Sequence, residues 1–297
     1  MKILILGGDG MLGHQAFLHL GERHQAKVTL RLDEVSYRNY GIFSDDKAYF
    51  GVDLRSLDRL TEVMADFQPE AVINGVGIVK QRTMAKESIP SLEINALLPH
   101  RLAVLCQASR SRLVHLSTDC VFSGRKGNYA EADQSDAEDL YGRTKYLGEV
   151  HEGHCLTLRT SIIGRELSRR KSLVEWFLAQ EGAVKGFTQA KYTGFTTLEM
   201  SRIIETMLMK HPAAHGVYQV SSDPINKFEL LKLLRKAFSK EVTITVDNQF
   251  RCDRSLDSSR FRMEFKYMPP TWEAMVTELA QTTAESKLYR RQEPSSR

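Results

Sequence analysis

Short apolar stretches alternate with amphipathic ones between residues 2 and 160. The apolar stretches are nearly uninterrupted, which is typical of strands buried on both faces of a parallel sheet. The stretches between them place apolar residues three and four positions apart, as amphipathic helices do. This alternation predicts βαβ units and therefore an α/β fold with a doubly wound parallel sheet. The predicted strands are 2–6, 27–32, 48–52, 71–77, 112–118 and 155–160, and the predicted helices are 11–23, 56–67 and 91–109.

The pattern changes near residue 165, after which helical spacing dominates. We therefore expect a sheet-bearing domain over 1–164 and a smaller, mainly helical substrate lobe over 165–281. Parts of 186–222 are expected to return to the sheet, because "GVYQVSS" (216–222) has the pattern of a strand. The polar residues 282–297 are expected to form a frayed tail. The predicted helices of the lobe are 172–181, 197–210, 226–238 and 271–281.

Three glycines lie directly between the first predicted strand and the first predicted helix, in "ILGGDGMLGHQ". Gly7 permits a tight turn, Gly10 lets a pyrophosphate approach the backbone, and Gly13 lets the helix pack closely on the strand. The free N–H groups and the positive dipole end of the helix attract phosphate. Because the glycines follow a strand and open a helix, they predict a dinucleotide-binding (Rossmann) site. Gly7, Gly10, Met11, Leu12 and Gly13 are assigned to it.

Arg31 and Asp33 lie near the end of the second predicted strand, in "TLRLDE". Enzymes that use NAD usually carry an acid at this place, where it binds the ribose hydroxyls. A guanidinium there favours the 2′-phosphate of NADPH instead, because it forms charge-assisted hydrogen bonds with phosphate. Arg31 therefore favours NADP(H) as the cofactor, with NAD(H) as the alternative.

Tyr141 precedes Lys145 by four residues, so both lie on one face of a predicted helix. Thr118 ends the fifth predicted strand, at the sheet edge where such folds bind ligands. Reduction of a ketone needs a proton donor at the oxygen, and the ordinary tyrosine pKa of about 10 is high for that role. A lysine cation ~4 Å away stabilises the phenolate by up to ~4 kcal/mol at an effective dielectric of ~20. The three residues therefore predict an acid, its activator and a substrate-orienting hydroxyl.

Composition and charge exclude several other classes of protein. The net charge of +4 over 297 residues gives no reason to expect nucleic acid, and no apolar run has the roughly 18 residues that span a membrane. The opening "MKILIL" is too short for a signal peptide. No histidine or cysteine spacing predicts a metal site. We therefore expect a cytoplasmic protein with reduced thiols at Cys106, Cys120, Cys155 and Cys252.

The pair "LSTDCVFSG" and "YGRTK", with the GxxGxxG glycine spacing, resembles the dTDP-4-dehydrorhamnose reductase family of extended short-chain dehydrogenase/reductases. The resemblance extends to about residue 281. It implies catalytic roles for Thr118, Tyr141 and Lys145, and for Asn95, which in the wider superfamily supports the lysine through water. A buried helix asparagine is the alternative interpretation of Asn95.

The resemblance also implies cofactor contacts in two further loops. Asp53 matches a position that contacts adenine in this family, and an N-cap role for the helix that begins near Ser56 is compatible with that contact. The other residues assigned to the cofactor are Leu54, Gly75, Val76, Gly77, Tyr141 and Lys145, with the lysine donating to ribose hydroxyls.

Several stretches, among them "INGVGIVKQ" and "RSLDSSRFRMEFKYMPPTW", resemble a sub-branch of this family. Its members reduce nucleotide-linked 4-keto-6-deoxy sugars, including UDP-N-acetyl forms, for bacterial capsule and O-antigen. Cys120 stands where the rhamnose enzymes carry a tyrosine, and Leu6 replaces a threonine. These departures argue against rhamnose reduction itself, while none removes a catalytic group.

The substrate side is expected to use cationic residues, since a nucleotide sugar carries two negative phosphates. Arg254 is the first candidate and Lys80, followed by Gln81 in a loop within reach of the sugar, is the second. Tyr192 and Phe195 are expected either to pack on the substrate or to belong to the core. The remaining cationic candidates are Arg165, Arg169, Arg170 and Lys191.

The expected function is NAD(P)H-dependent reduction of the 4-keto group of a UDP- or dTDP-linked 6-deoxyhexose. An epimerase of the same superfamily is one alternative; a dehydratase is disfavoured because Cys120, not an acid, follows Asp119. A non-catalytic regulatory subunit is another alternative, because the family includes a partner of methionine adenosyltransferase. The resemblance also allows a homodimer.

Overall fold

A parallel sheet of seven strands forms the centre of the protein. The structure is a computed structural model that describes residues 1–79, 87–168 and 170–290. Numbered along the chain, the strands are β1 (Lys2–Leu6), β2 (Gln25–Thr29), β3 (Ala48–Tyr49), β4 (Ala71–Asn74), β5 (Arg112–Thr118), β6 (Cys155–Thr160), β7 (Ile162–Ile163), β8 (Ala183–Tyr192), β9 (Phe195–Thr196), β10 (Gly216–Gln219), β11 (Ile225–Asn226) and β12 (Thr243–Asp253).

The strand order in the central sheet is β10-β6-β5-β4-β1-β2-β3, and each neighbouring pair is parallel. The order reverses direction between β1 and β4. In open α/β sheets ligands bind beyond the carboxyl ends of the strands at such a switch point. The predicted doubly wound sheet is therefore confirmed, and β10 is the strand that returns from the second lobe.

Helices cover both faces of this sheet and fill much of the second lobe. They are α1 (Met11–Gly21), α2 (Glu34–Tyr37), α3 (Leu57–Phe67), α4 (Ser88–Ser91), α5 (Leu98–Ala108), α6 (Leu140–Leu147), α7 (Leu173–Leu178), α8 (Thr197–Lys210), α9 (Lys227–Ala237), α10 (Ser259–Phe265), α11 (Trp272–Glu285) and α12 (Lys287–Arg290). A π-helical segment, Leu92–Leu97, joins α4 to α5, and a 3₁₀ turn, Asp119–Val121, follows β5.

Alternate residues of the first strand enter two different hydrophobic clusters. Ile3 and Ile5 pack with residues of α1 and α8, whereas Leu4 and Leu6 pack with residues of α3 and α5. Side chains along a strand point to opposite faces of the sheet, so a strand covered on both faces must be apolar at successive positions. That requirement explains the uninterrupted apolar stretches of the sequence.

The second lobe contains more strand than its sequence indicated. β8 and β12 pair in parallel and form a second sheet with β11, which is antiparallel to β8. The sequence analysis predicted neither β8 nor β12. Most residues of β12 are exposed to solvent, so its sequence, "TITVDNQFRCD", lacks the apolar face that marks a strand.

Residues 282–290 are largely helical, where the sequence analysis predicted part of a frayed tail. α11 continues to Glu285 and α12 follows it, with the Tyr289 side chain buried. The Tyr289 hydroxyl lies 2.6 Å from Nε2 of His14, and His14 Nδ1 donates to the Gly10 carbonyl at 2.8 Å. Burial lowers the pKa of His14 to about 4, so the ring is neutral and Nε2 accepts from Tyr289. The C-terminal segment is thereby attached to the glycine loop.

No helix among the described residues has the length and apolar character needed to cross a membrane. The four cysteines are free thiols. Within the described ranges, no group of histidine, cysteine, aspartate and glutamate side chains is arranged to hold a metal ion.

Replacing Tyr289 with phenylalanine tests this C-terminal attachment. The ring still packs, but His14 Nε2 loses its donor in a buried place, which is expected to lower the free energy of unfolding by about 1–3 kcal/mol. Urea denaturation measures the change, with Tyr146→Phe at an exposed position as the control. Equal midpoints for Tyr289→Phe and wild type would contradict the role given to this hydrogen bond.

Candidate active site

The glycine loop has the geometry of a phosphate-binding turn. Gly7 adopts a φ of 75°, and Gly8 N donates to the Thr29 carbonyl at the end of β2 over 3.0 Å. Gly10 is the N-cap residue of α1. Because glycine has no side chain, the first N–H groups of the helix receive no hydrogen bond from a capping side chain. A Cβ at Gly13 would lie 2.0 Å from the Gly7 carbonyl oxygen, so only glycine allows this close contact.

The loop that follows β4 faces the glycine loop. A Cβ at Gly7 would lie 2.7 Å from Val76, and one at Gly75 would lie 3.8 Å from Leu12. Val76 N donates to the Asn74 side chain at 3.1 Å, which fixes the start of the loop. The structure therefore brings the predicted cofactor residues of β1–α1 and β4 together, and the backbone cradle fits a dinucleotide.

The ribose-side candidates lie at the carboxyl ends of β2 and β3. Asp33 is the N-cap of α2, where it accepts from the backbone and hydroxyl of Ser36 at 3.0 and 2.6 Å. Arg31 is exposed and does not cap a helix. Its charge helps to lower the pKa of Asp53, although the hydrogen bonds from Arg55 have the larger effect. Leu54 is buried in the cluster of Leu4 and Leu6.

Asp53 does not cap α3, so the N-cap role that the sequence analysis allowed for it beside the adenine contact is wrong. The N-cap is Ser56, whose side chain accepts from Arg59 N, whereas Asp53 accepts from the backbone and guanidinium of Arg55. Asp53 lies three residues before the N-cap, too far outside the helix to reach its first N–H groups.

α6 carries Tyr141 and Lys145 and is held close to two other segments. Its N-cap, Asp139, accepts from Gly142 N at 2.8 Å. A Cβ at Gly142 would lie 2.2 Å from the Cys120 carbonyl oxygen, and one at Gly148 would lie 1.9 Å from that of Asn95. Glycine at these two positions lets α6 touch the backbone of the turn after β5 and of the π-helical segment.

Thr118 and Tyr141 meet at the carboxyl end of β5. The Thr118 side chain lies beside the Tyr141 phenol, and Thr118 Oγ1 accepts from Cys120 N at 3.1 Å and donates to Asp119 at 3.2 Å. Burial raises the pKa of Tyr141, and the nearby Cys120 and Asp119 raise it further, while Thr118 opposes them. The phenol is therefore protonated in this structure.

Lys145 is buried beneath the tyrosine, one helical turn along α6. Its ammonium donates to the Leu116 carbonyl at 2.6 Å. Burial lowers the pKa of Lys145 to about 8, against the opposing charge of Glu149. The expected lowering of the tyrosine pKa by Lys145 is not found, because desolvation of the phenolate dominates and the ammonium is directed to the β5 backbone.

Glu149, Arg159 and Ser117 form a buried network that the sequence analysis missed. Arg159 donates to both carboxylate oxygens of Glu149 at 2.7 Å, and Ser117 Oγ donates to the same carboxylate at 2.6 Å. Glu149 lies four residues beyond Lys145, a spacing that puts an acid near the lysine. That spacing was the available signal, but Arg159 comes from β6 and only the fold brings it there.

Asn95 joins the β4 loop to α6. Its amide accepts from Ile78 N at 2.8 Å and donates to the Ile78 carbonyl at 3.1 Å and to Thr144 Oγ1 at 3.2 Å. Thr144 is the neighbour of Lys145. These contacts agree with the interpretation as a buried helix asparagine, and support of the lysine through water stays a prediction.

Among the cationic substrate candidates that the structure describes, Arg254 lies near the residues that follow Thr118. Its Nε donates to the Phe122 carbonyl at 2.8 Å, and Cys120 and Asp119 lie near its guanidinium. Arg165 pairs with Glu175 at 2.6 Å and Lys191 with Asp253 at 2.8 Å. Tyr192 and Phe195 are buried. Lys80, Gln81 and Arg169 lie outside the described residues.

Comparison with known proteins agrees with this architecture. The model of the RmlD substrate binding domain matches residues 1–182. The chain is 25% identical to methionine adenosyltransferase 2 subunit beta of Danio rerio, over 80% of this chain and 74% of that protein. It is 24% identical to a dTDP-4-dehydrorhamnose reductase of Aggregatibacter actinomycetemcomitans, over 75% of this chain and 74% of that protein.

A solved structure shares the fold. The dTDP-4-dehydrorhamnose reductase of Bacillus anthracis, in complex with NADP, superposes with a TM-score of 0.78 over 95% of this chain and 99% of that one, at 19% identity.

The parallel sheet, the glycine loop and the threonine, tyrosine and lysine at its edge define an extended short-chain dehydrogenase/reductase, a class of NAD(P)-dependent oxidoreductases. Within that class the chain belongs to the RmlD substrate binding domain family, whose model covers more than half of it. The family resemblance inferred from the sequence is confirmed.

Replacing Gly13 with alanine tests the glycine cradle. The new Cβ would collide with the Gly7 backbone, so we expect NADPH to bind at least tenfold more weakly, as measured by fluorescence titration. Gly21→Ala, at the other end of α1, has open space around it and is the matched control. It is expected to leave binding unchanged and to add roughly 0.5–1 kcal/mol of stability. Unaltered NADPH affinity in Gly13→Ala would refute the assignment.

Proposed function

We propose that this protein reduces the 4-keto group of a nucleotide-activated 6-deoxyhexose, UDP- or dTDP-linked, for bacterial surface polysaccharide synthesis. The observation that carries the proposal is Thr118 beside the Tyr141 phenol, with Lys145 one helical turn away, at the sheet edge that also carries the cofactor cradle. The Arg254 guanidinium lies near Asp119 and Cys120, and its positive charge suits an anionic sugar nucleotide.

Bound NADP(H) supplies the hydride in this class of enzyme. The backbone of the glycine loop would hold the pyrophosphate, and Arg31 would hold the 2′-phosphate. Asp33 is engaged in capping α2, which leaves Arg31 as the ribose-side charge and favours NADPH over NADH. The neutral, buried His14 supports the cradle through the Gly10 carbonyl.

Tyr141 is the proposed proton donor to the carbonyl oxygen of the substrate. Its raised pKa keeps the phenol protonated before the reaction, which is the form that a donor needs. Thr118 would orient the carbonyl by its hydroxyl. After transfer a phenolate remains, and a cation that turned from the Leu116 carbonyl toward the phenol on substrate binding would stabilise it electrostatically. Lys145, in its charged form, is the proposed source of that stabilisation.

A non-catalytic role is the second candidate, because one relative is a methionine adenosyltransferase regulatory subunit. The presence of threonine, tyrosine and lysine favours the reductase, since a binding protein needs no acid and no activator. An epimerase of the same class is the third candidate, and it would be indicated by a cofactor that stays bound through purification.

The direct test is Tyr141→Phe, assayed by NADPH consumption with UDP- and dTDP-linked 4-keto-6-deoxyhexoses. We expect kcat to fall about 10²- to 10⁴-fold with NADPH affinity retained, because only the transferable proton is removed. Tyr146→Phe, exposed on the same helix, is the matched control and should keep full activity. NADPH binding without turnover on any sugar by wild type would favour the regulatory role.

The pH dependence tests Lys145. Its proton is lost as the pH rises through the lowered pKa of about 8, so kcat/KM for NADPH should fall above that pH in the free enzyme. Lys145→Met should be impaired at every pH and show no such decline. A wild-type profile that stays flat to pH 9.5 would contradict the need for the charged lysine.

A further inference from the structure

Lys227 is the first residue of α9 and lies near Asp119, the residue that follows Thr118. It follows the N-cap Asn226, and β11 pairs with the end of β8 so that Ile225 lies opposite Tyr192. The Lys227 ammonium lies 4.3 Å from the centroid of the Tyr192 ring. The second lobe thereby places a cation beside Tyr192 and near Asp119.

The Lys227 side chain is partly buried. Within the described part of the chain, no carboxylate lies at contact distance from its ammonium. Burial lowers the pKa of Lys227, and the nearby Asp119, Cys120 and Cys252 oppose that effect. Among the described residues, the Lys227 ammonium has no hydrogen-bond acceptor and no carboxylate at ion-pair distance. Its contact with Tyr192 leaves the three N–H donors free to bind something else.

Such a placement is unfavourable for stability. A cation in the first turn of a helix faces the positive end of the helix dipole, and burial without a counter-ion costs further free energy. Other lysines of the lobe are paired: Lys232, on the same helix, lies 2.9 Å from Glu229, and Lys191 lies 2.8 Å from Asp253. Lys227 therefore differs from the structural lysines around it.

Arg254 lies near the same three groups as Lys227, namely Cys120, Cys252 and Asp119. Its Nε donates to the Phe122 carbonyl, which fixes the guanidinium at the turn after β5. Asp119 is the carboxylate near both cations, and burial raises its pKa. Lys227 and Arg254 thus share a single nearby carboxyl group.

We propose that Lys227, together with Arg254, binds the diphosphate of the substrate, and that it does so directly with its ammonium group. This inference rests on the proposed function, since it assumes a nucleoside diphosphate joined to the sugar. Two negative charges match the two cations, and the backbone N–H groups that would hold the cofactor phosphates lie in the separate glycine loop. The sugar would then extend from the diphosphate toward Thr118 and Tyr141.

The test compares Lys227→Met with Lys232→Met, a matched change one and a half turns along the same helix. UDP, dTDP and inorganic pyrophosphate are titrated calorimetrically into each protein saturated with NADPH. Loss of a charge-assisted contact is expected to weaken nucleoside diphosphate binding roughly 10- to 100-fold in Lys227→Met. Lys232→Met should bind as wild type does, and Lys227→Arg should recover most of the affinity because it keeps the charge.

Stability provides the second measurement. Lys227→Met removes an unpaired, partly buried charge and is expected to unfold at the same or a higher temperature than wild type, with NADPH affinity unchanged. A structural lysine would instead give lower stability and unaltered UDP and dTDP affinity, and that result would overturn the inference. If wild type itself binds no nucleoside diphosphate and no pyrophosphate, the proposed sugar-nucleotide substrate is overturned along with it.

Discussion

The active site depends on the close packing of α6 against backbone at two points. Gly142 rests on the Cys120 carbonyl and Gly148 on the Asn95 carbonyl, and a Cβ at either place would overlap an oxygen atom. Held by these contacts, α6 presents Tyr141 to Thr118 and Lys145 to the β5 backbone. Because both contacts are backbone to backbone, the helix has little freedom to shift, and the two functional side chains inherit that fixed position.

Charge near the end of β5 falls into two groups. Lys145 is buried near the paired Glu149 and Arg159, so its desolvation is partly offset. Lys227 and Arg254 lie near Asp119, and among the described residues neither forms an ion pair. The first group is balanced within the protein. The excess positive charge of the second is the observation on which the proposed diphosphate contact rests.

Much of the fold was predictable because its signals are local. β1, β5 and β6 have the predicted bounds, since strands buried on both faces are largely apolar. The glycine loop was recognisable by its spacing between a strand and a helix, and the Tyr141–Lys145 pair by its spacing together with its order after the glycine loop and Thr118. β8 and β12 were not, because their exposed faces carry polar residues and β12 gives no apolar alternation. The buried Tyr289 was missed because its partner, His14, lies 275 positions away.

The sequence by itself determined the order of many strands and helices, the glycine turn and the identity of the candidate reactive groups, because backbone propensity and side-chain periodicity act over a few residues. Only the tertiary structure decided which groups lie together: Thr118 with Tyr141, Asn95 with Thr144, and Lys227 with Asp119. It also decided that Lys145 is desolvated and bound to the Leu116 carbonyl. Burial and long-range contact arise from packing distant segments together, so no local pattern records them.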